Sequence, residues 1–223
     1  MKHVQKGFTL VEIAIVLVII GLLLGGILKG QEMITQAKIK IVIADFSGVS
    51  AAYHGYQDRY RAIPGDDPNA ATRWAVAPAA TAGNGNGVVA GAYNSANAAD
   101  ESRLWWDHLR RAGFVSGNGT QQPFNALTGQ IGVQTGDGQA AVGPTMLNAA
   151  GGNGFVGLIM CSANLPDKIA IAVDTQMDDG ASNLGTVRAL LQTAPNPAIG
   201  ATQVATAAYA ETSTNIYTLC RAL

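Results

Sequence analysis

Between Phe8 and Leu28 the apolar side chains run on with only Thr9 and Glu12 to interrupt them. The run spans about 21 residues, close to the ~20 that a helix needs to cross a bilayer core. Further along, the pattern narrows to a stripe. Ile39, Val42, Phe46, Val49, Tyr53, Tyr56 and Tyr60 recur at alternating spacings of three and four, with Gln36, Lys38, Lys40 and Asp45 between them. This is the period of a helix that packs one face. No proline intervenes before Pro64, so the pattern predicts one helix from about Phe8 to about Arg61, roughly 80 Å at 1.5 Å per residue. Gly21, Gly25, Gly26 and Gly30 sit in its middle. Each costs up to about 1 kcal/mol in an exposed helix, but the Gly26–Gly30 spacing also suits close helix packing in lipid.

The rest of the chain alternates short periodic segments with small-residue stretches. "PGDDPNAATRWAV" reads as a turn and a short helix, with Asp67 as N-cap and Pro68 at the first helical position. "APAATAGNGNGVVAGAYNSANAA" is expected to be an exposed loop. "DESRLWWDHLRRAGFV" is the clearest helix after the first: Asp100 can cap it, Leu104, Trp105, His108, Leu109 and Ala112 share a face, and Gly113 can end it. His108 on that face reads as a core-edge residue and not a catalyst. "GVQTGDGQAAVGPTMLNAAGGNG" is a second loose stretch. "GFVGLIMCSANL" is a strand carrying Cys161. "NLPDKIAIAVDTQMDDG" is a helix with Asn164 as cap, Pro166 near its start and Gly180 at its end. "GTVRALL" and "NIYTLCRAL", the latter carrying Cys220, complete the strands. The fold class is therefore α+β: a long N-terminal helix on a small antiparallel sheet, with extra short helices and long loops.

Composition removes several functions. The 223 residues carry a formal net charge of -1 and are 48% hydrophobic but only 13% charged, with no basic cluster beyond the first residues. Nothing there proposes nucleic-acid binding. The chain lacks G-x-S-x-G, H-E-x-x-H and a phosphate loop, and His3, His54 and His108 are scattered. "GNGNG" follows no strand and precedes no lysine, so it does not read as a nucleotide loop. The chain is expected not to be an enzyme. The two cysteines, Cys161 and Cys220, match one disulfide in an exported domain or two reduced core residues in a cytosolic one. Asp174, Asp178 and Asp179, with Gly180, Ser182 and Asn183 after them, suit a hard cation such as calcium. They equally suit a solvated helix end. No other cofactor is expected.

The N-terminus decides between these settings. A secretory signal has an apolar core of about 7–15 residues and then a small-residue cleavage site; here the run is longer and continues into helical sequence. Lys2 and Lys6 precede it, which leaves residues 1–7 in the cytoplasm and the remainder outside. An exported chain makes the disulfide the expected state of the cysteines, and closing that loop stabilises by roughly 4 kcal/mol on the chain-entropy model. Glu12 is the anomaly. A charged residue at a helix centre costs about 2.5–3.5 kcal/mol on insertion scales, somewhat less nearer the end, and a purely structural anchor has no evident reason to keep one.

"KGFTLVE", Lys6 to Glu12, ahead of such a run resembles the processing site of class III signal peptides, found in type IV pilins and in the pseudopilins of type II secretion. The resemblance covers about the first 30 residues. It implies cleavage by prepilin peptidase between Gly7 and Phe8, on the cytoplasmic side, and N-methylation of Phe8. It implies a leader at 1–7, a transmembrane and assembly helix at 8–30, its continuation at 31–61 and a periplasmic or extracellular head at 62–223. Glu12 then becomes an assembly residue that meets the Phe8 amine of a neighbouring subunit. The implied partners are the peptidase, other pilin or pseudopilin subunits, membrane lipid, an inner-membrane platform and an assembly ATPase. The implied itinerary runs from the inner membrane, with one span, to a periplasmic pseudopilus or extracellular pilus. A C-terminal disulfide in this family fastens the exposed edge of the head, and some secretion pseudopilins bind calcium in their C-terminal region. The proline that many related pilins place shortly after Gly21 is absent, with Lys29 in that region. The alternatives are a minor tip or priming subunit, a secretion pseudopilin, and a membrane-anchored enzyme or binding module.

Overall fold

The computed structural model describes residues 9–138, 147, 154–200 and 204–223. The chain divides into two compact units, Met1–Lys38 and Ile39–Leu223, with helix α1 (Leu10–Tyr60) contributing to both. The helix is continuous through Gly21, Gly25, Gly26 and Gly30, none of which has another atom near the place a Cβ would occupy. It ends at Tyr60, where Arg61 turns to a φ of 55°. In the first unit its apolar side chains, Leu10 to Leu28, are exposed.

In the second unit the stripe is the core. Ile39, Val42, Phe46, Val49, Tyr53 and Tyr56 are buried, and Tyr60 packs at the edge. Each fully buried apolar side chain of this size is worth about 1.5–3 kcal/mol. They share one cluster with Trp105, Trp106 and Leu109 of α3 (Glu101–Arg111) and with one face of a four-stranded sheet. Its strands are β1 (Ile131–Thr135), β2 (Leu158–Pro166), β3 (Val187–Leu191) and β4 (Ile216–Ala222), ordered β1-β2-β4-β3 with every neighbour antiparallel. The short helix α2 (Ala70–Arg73) precedes α3, and α4 (Asp167–Met177) follows β2 directly. The α+β class expected from the sequence is the one observed, with pilin-like architecture.

The sheet is buried on both faces. Val133, Met160, Leu165, Val187 and Leu219 join the helix-side cluster. Ile159, Cys161, Ala163 and Cys220 join a second, built with Tyr93, Leu147, Phe155, Ile199 and Ala205. A strand covered on both sides reads as a near-continuous apolar run, and "GLIMCSA" does. Cys161 and Cys220 are directly opposite each other on β2 and β4 and are joined by a disulfide. Both are fully buried and both strands are internal to the sheet, so the bond lies within the head and not at an exposed edge.

Several local expectations are corrected. Asp67 does not cap a helix starting at Pro68; α2 is four residues long with Asn69 before it. Asp100 precedes α3 as expected, but its carboxylate accepts from Ser95 Oγ and Asn97 Nδ2 and makes no cap bond. Asn164 stands at the bulge of β2 with φ 57°, and α4 starts three residues later and stops before Gly180. The Gly/Ala/Asn stretch is irregular but not wholly exposed, since Ala80, Val88, Val89 and Tyr93 are buried. The second loose stretch begins as β1. Most of its remainder lies outside the described residues.

Gly132 explains why that strand lacks a clear pattern. A Cβ there would stand 2.0 Å from the Tyr93 carbonyl oxygen, a backbone atom that cannot swing away. We expect Gly132→Ala to cost about 2–3 kcal/mol, at the upper end for overpacking, read as a lower denaturation midpoint of the full chain in detergent. An unchanged midpoint would mean that the Tyr93 segment does not press on β1.

Candidate functional site

Gly7 and Phe8 lie outside the described residues, so the site is built from Thr9 onward. The first turn is closed by reciprocal bonds. Thr9 donates from both its backbone N–H and its Oγ1 to Glu12 Oε2, at 2.8 and 2.7 Å, and the Glu12 N–H reaches Thr9 Oγ1 at 3.3 Å. Four backbone N–H groups at a helix start have no intrahelical acceptor. A threonine with a glutamate three residues on satisfies two of them reciprocally, the arrangement known as a capping box. The expectation that a structural anchor has no use for Glu12 is thus overturned. The carboxylate has a local structural role, and the T-x-x-E spacing was present in the sequence to signal it.

From Ile13 to Leu28 α1 has no polar face. The helix is long and apolar enough to cross a membrane, and its most apolar stretch is wholly exposed. A helix apolar on every side suits lipid or the interior of a helix bundle. An ion pair follows the run, Lys29 Nζ to Glu32 Oε2 at 2.8 Å, on the surface.

The three carboxylates singled out near the end of α4 do come together: Asp174, Asp178 and Asp179 each place an oxygen within 4.8 Å of the others. Asp174 is fully buried. Its Oδ2 accepts from Tyr209 Oη at 2.6 Å, and its Oδ1 is buried with no hydrogen-bond partner. Burial raises its pKa above the ordinary carboxylate value, and the charges of Asp179 and Asp178 push the same way. Asp178 Oδ2 accepts from the N–H groups of Thr186 and Val187, while Asp179 Oδ1 accepts from Ala181 N–H. Tyr209, 35 residues from Asp174, had no sequence signal.

A second acidic pair at Asp66 and Asp67 is structural. The Asp66 carboxylate is wrapped by the N–H groups of Gly85, Asn86 and Gly87, so the "GNGNG" loop does cradle an anion, one that belongs to its own chain. Asp67 is buried. Burial alone would raise its pKa, but bonds from Tyr56 Oη, Arg73 Nη1 and Asn69 N–H hold it below the ordinary range. His108 is likewise a core residue. Its Nδ1 accepts from Gly65 N–H at 2.9 Å and its Nε2 meets the Thr81 carbonyl at 2.8 Å, which fixes a neutral ring whose pKa burial lowers. The unfolded chain binds a proton near pH 6.5 that the folded ring refuses. Stability present at neutral pH should therefore decline as pH falls below about 6.5. Denaturation midpoints of His108→Gln should have a flatter slope there; equal slopes would rule out His108 as the source.

Residues 2–28 match the prokaryotic N-terminal methylation motif. No match was found among curated proteins, and none among solved structures. The methylation motif is that of class III signal peptides, and the matched residues take in Gly7 and Phe8, the Thr9–Glu12 capping box and the apolar first part of α1. The head contributes nothing to the match.

Proposed function

We propose that the chain is the precursor of a fibre subunit of the type IV pilus or pseudopilus class. The observation that carries this reading is the methylation motif at residues 2–28, whose apolar run forms the exposed first part of one unbroken helix. In this account the subunit is inserted with residues 1–7 in the cytoplasm, cut by prepilin peptidase after Gly7 and N-methylated at Phe8. An inner-membrane platform and its ATPase then draw it into a helical polymer. The apolar surface of α1 exchanges lipid for the same surface of neighbouring copies, so little apolar area meets water at any stage. Glu12 meets the ammonium of a neighbouring Phe8, and two charges that are each costly in a low-dielectric interior neutralise each other in one register. The uncut precursor has no amine at Phe8, so cutting licenses assembly. Co-expression with an active prepilin peptidase should remove residues 1–7, and an inactive peptidase should leave them. Equal masses in the two strains would end this reading. The head, residues 62–223, favours a minor or tip role over a bulk subunit; abundance in sheared fibres decides between them.

A cation, with calcium the expected ion, at Asp174, Asp178 and Asp179 is a second element of the proposal. What supports it is the Asp174 Oδ1 atom, buried without a partner, in a residue whose carboxylate lies beside those of Asp178 and Asp179. Three carboxylates this close suit a hard cation, which would neutralise their mutual repulsion and staple the end of α4 to the loop before β3. Millimolar calcium should raise the melting temperature of the full chain over its value in chelator, by about 2–4 °C per kcal/mol of binding stabilisation. Asp174→Asn should abolish that rise. A melting temperature indifferent to calcium in the wild type would remove the ion from the account.

A further inference from the structure

The tripeptide Gly-Asn-Gly occurs in this chain at Asn84, Asn86, Asn118 and Asn153. The last of these lies outside the described residues. An Asn–Gly step can react with itself: the glycine's backbone nitrogen, once it has given up its proton, attacks the asparagine's Cγ. Glycine permits the approach because no Cβ stands in the way. The three described steps have the same neighbours in sequence but very different surroundings in the fold.

At Asn84 and Asn86 the reacting groups are tied up. The Gly85 N–H donates to Asp66 Oδ1 at 2.6 Å and the Gly87 N–H to Asp66 Oδ2 at 2.7 Å. To attack, either nitrogen must break a bond to a charged acceptor, and the anion it becomes would face a carboxylate. The side chains are turned away as well. Asn84 Oδ1 accepts from the Asn86 N–H and Asn86 Oδ1 from the Val88 N–H, each reaching past its own glycine.

Asn118 has none of these restraints. It is exposed, in the loop between α3 and β1. Among the described residues neither its side chain nor the Gly119 N–H makes a hydrogen bond. The space where a Cβ of Gly119 would stand is open. The nearby charge also has the opposite sign. Arg110 donates to the carbonyls of Ser116, Gly119 and Gln121, so a guanidinium lies against the loop on both sides of Asn118. A positive charge favours the ionised amide that the attack requires. Asp107, which lines the same hollow, is paired with Arg111 at 2.7 Å.

We propose that Asn118 is a site of spontaneous deamidation in the folded chain, and that Asp66 shields Asn84 and Asn86 from the same reaction. Gly119 N forms a bond to Asn118 Cγ, the Cγ–Nδ2 bond breaks, and ammonia leaves with a proton from water, closing a five-membered imide. Water then opens the imide at either carbonyl. One opening gives aspartate; the other gives isoaspartate, with the main chain routed through the side chain. The net reaction consumes one water and releases one ammonia, and no enzyme or oxidant takes part. Older copies of the head therefore carry an added carboxylate beside Arg110 and Arg111. The proposal is independent of the fibre-subunit reading.

The test incubates the full chain in detergent, at mildly alkaline pH, with and without guanidinium chloride. Peptides are then mapped by mass for the gain of about one dalton that turns an amide into an acid. In the folded chain Asn118 should convert at least about tenfold faster than Asn84 or Asn86, the factor that a bond to a charged acceptor is worth. In denaturant the three identical tripeptides should convert within about threefold of one another, since only fluctuating local structure then separates them. Equal rates at the three sites in the folded chain would overturn the proposal, as would an Asn118 that converts only in denaturant. The same tenfold preference in denaturant would also overturn it, because the fold would not be its cause.

Discussion

On the fibre-subunit proposal, Glu12→Leu should leave the subunit in the membrane and take it out of the fibre. Insertion should not suffer, because leucine in an apolar helix is favourable by about 0.3–0.6 kcal/mol where a charged side chain is unfavourable by up to a few. Assembly should fail, because each Phe8 ammonium would then be buried without its counter-ion. Breaking a buried ion pair from one side costs about 3–5 kcal/mol, and 1.4 kcal/mol is tenfold, so each subunit contact weakens by about two to three and a half orders of magnitude. Glu12→Gln separates the two roles of the side chain. It keeps an oxygen for Thr9 and so preserves the capping box, but it has no charge, and it should be nearly as defective in fibres as leucine. If Glu12→Gln polymerises normally, the side chain matters as a cap and the charge-pairing account is wrong.

Removing the disulfide should have the largest effect on the head. Cys161 and Cys220 are 59 residues apart in sequence. Cross-linking a loop of that size stabilises by roughly 4 kcal/mol through the entropy of the unfolded chain. Domains are stable by only about 5–15 kcal/mol, so the loss is a large share of the whole. Alanine at both positions avoids burying two hydroxyls and should lower the melting temperature by roughly 8–16 °C for a domain of this size. The position of the bond adds to this. It joins β2 to β4, the two central strands, and its sulfur atoms sit in the cluster with Tyr93, Leu147 and Phe155. The damage should reach the sheet's core and not stay local to the C-terminus, so protease sensitivity should rise across the head. A double-alanine chain that melts within about 3 °C of wild type would show that packing alone holds the two strands.

What the sequence disclosed follows the range of each interaction. The stripe from Ile39 to Tyr60 and the apolar run before it announced α1 because helix contacts are local and repeat every three or four residues. β2 and β4 were legible as apolar runs bounded by turn residues. β1 was not, since Gly132 is dictated by a carbonyl almost 40 positions earlier, and Gln134 is buried by bonds to Tyr93 N–H and the Gly136 and Ile199 carbonyls. Neither constraint leaves a periodic trace. Two of the failed caps have the same origin: Asp67 is held by Tyr56 and Arg73, and Asn164 Oδ1 accepts from the Asn196 N–H. Long-range partners outcompeted the local use. At the candidate site the motif residues were readable because the motif is linear. The Asp174 cluster was readable only in part, as its three carboxylates are close in sequence but Tyr209 is not.

The central claim is that this chain is cut at Gly7–Phe8 and polymerised through the helix that follows. Intact mass with N-terminal sequencing, applied to the chain from membranes and from sheared surface material, tests it most directly. The account predicts a single species beginning at N-methylated Phe8, present in the fibres as well as in the membrane. A chain that still begins at Met1, or one cut beyond the apolar run, would contradict it.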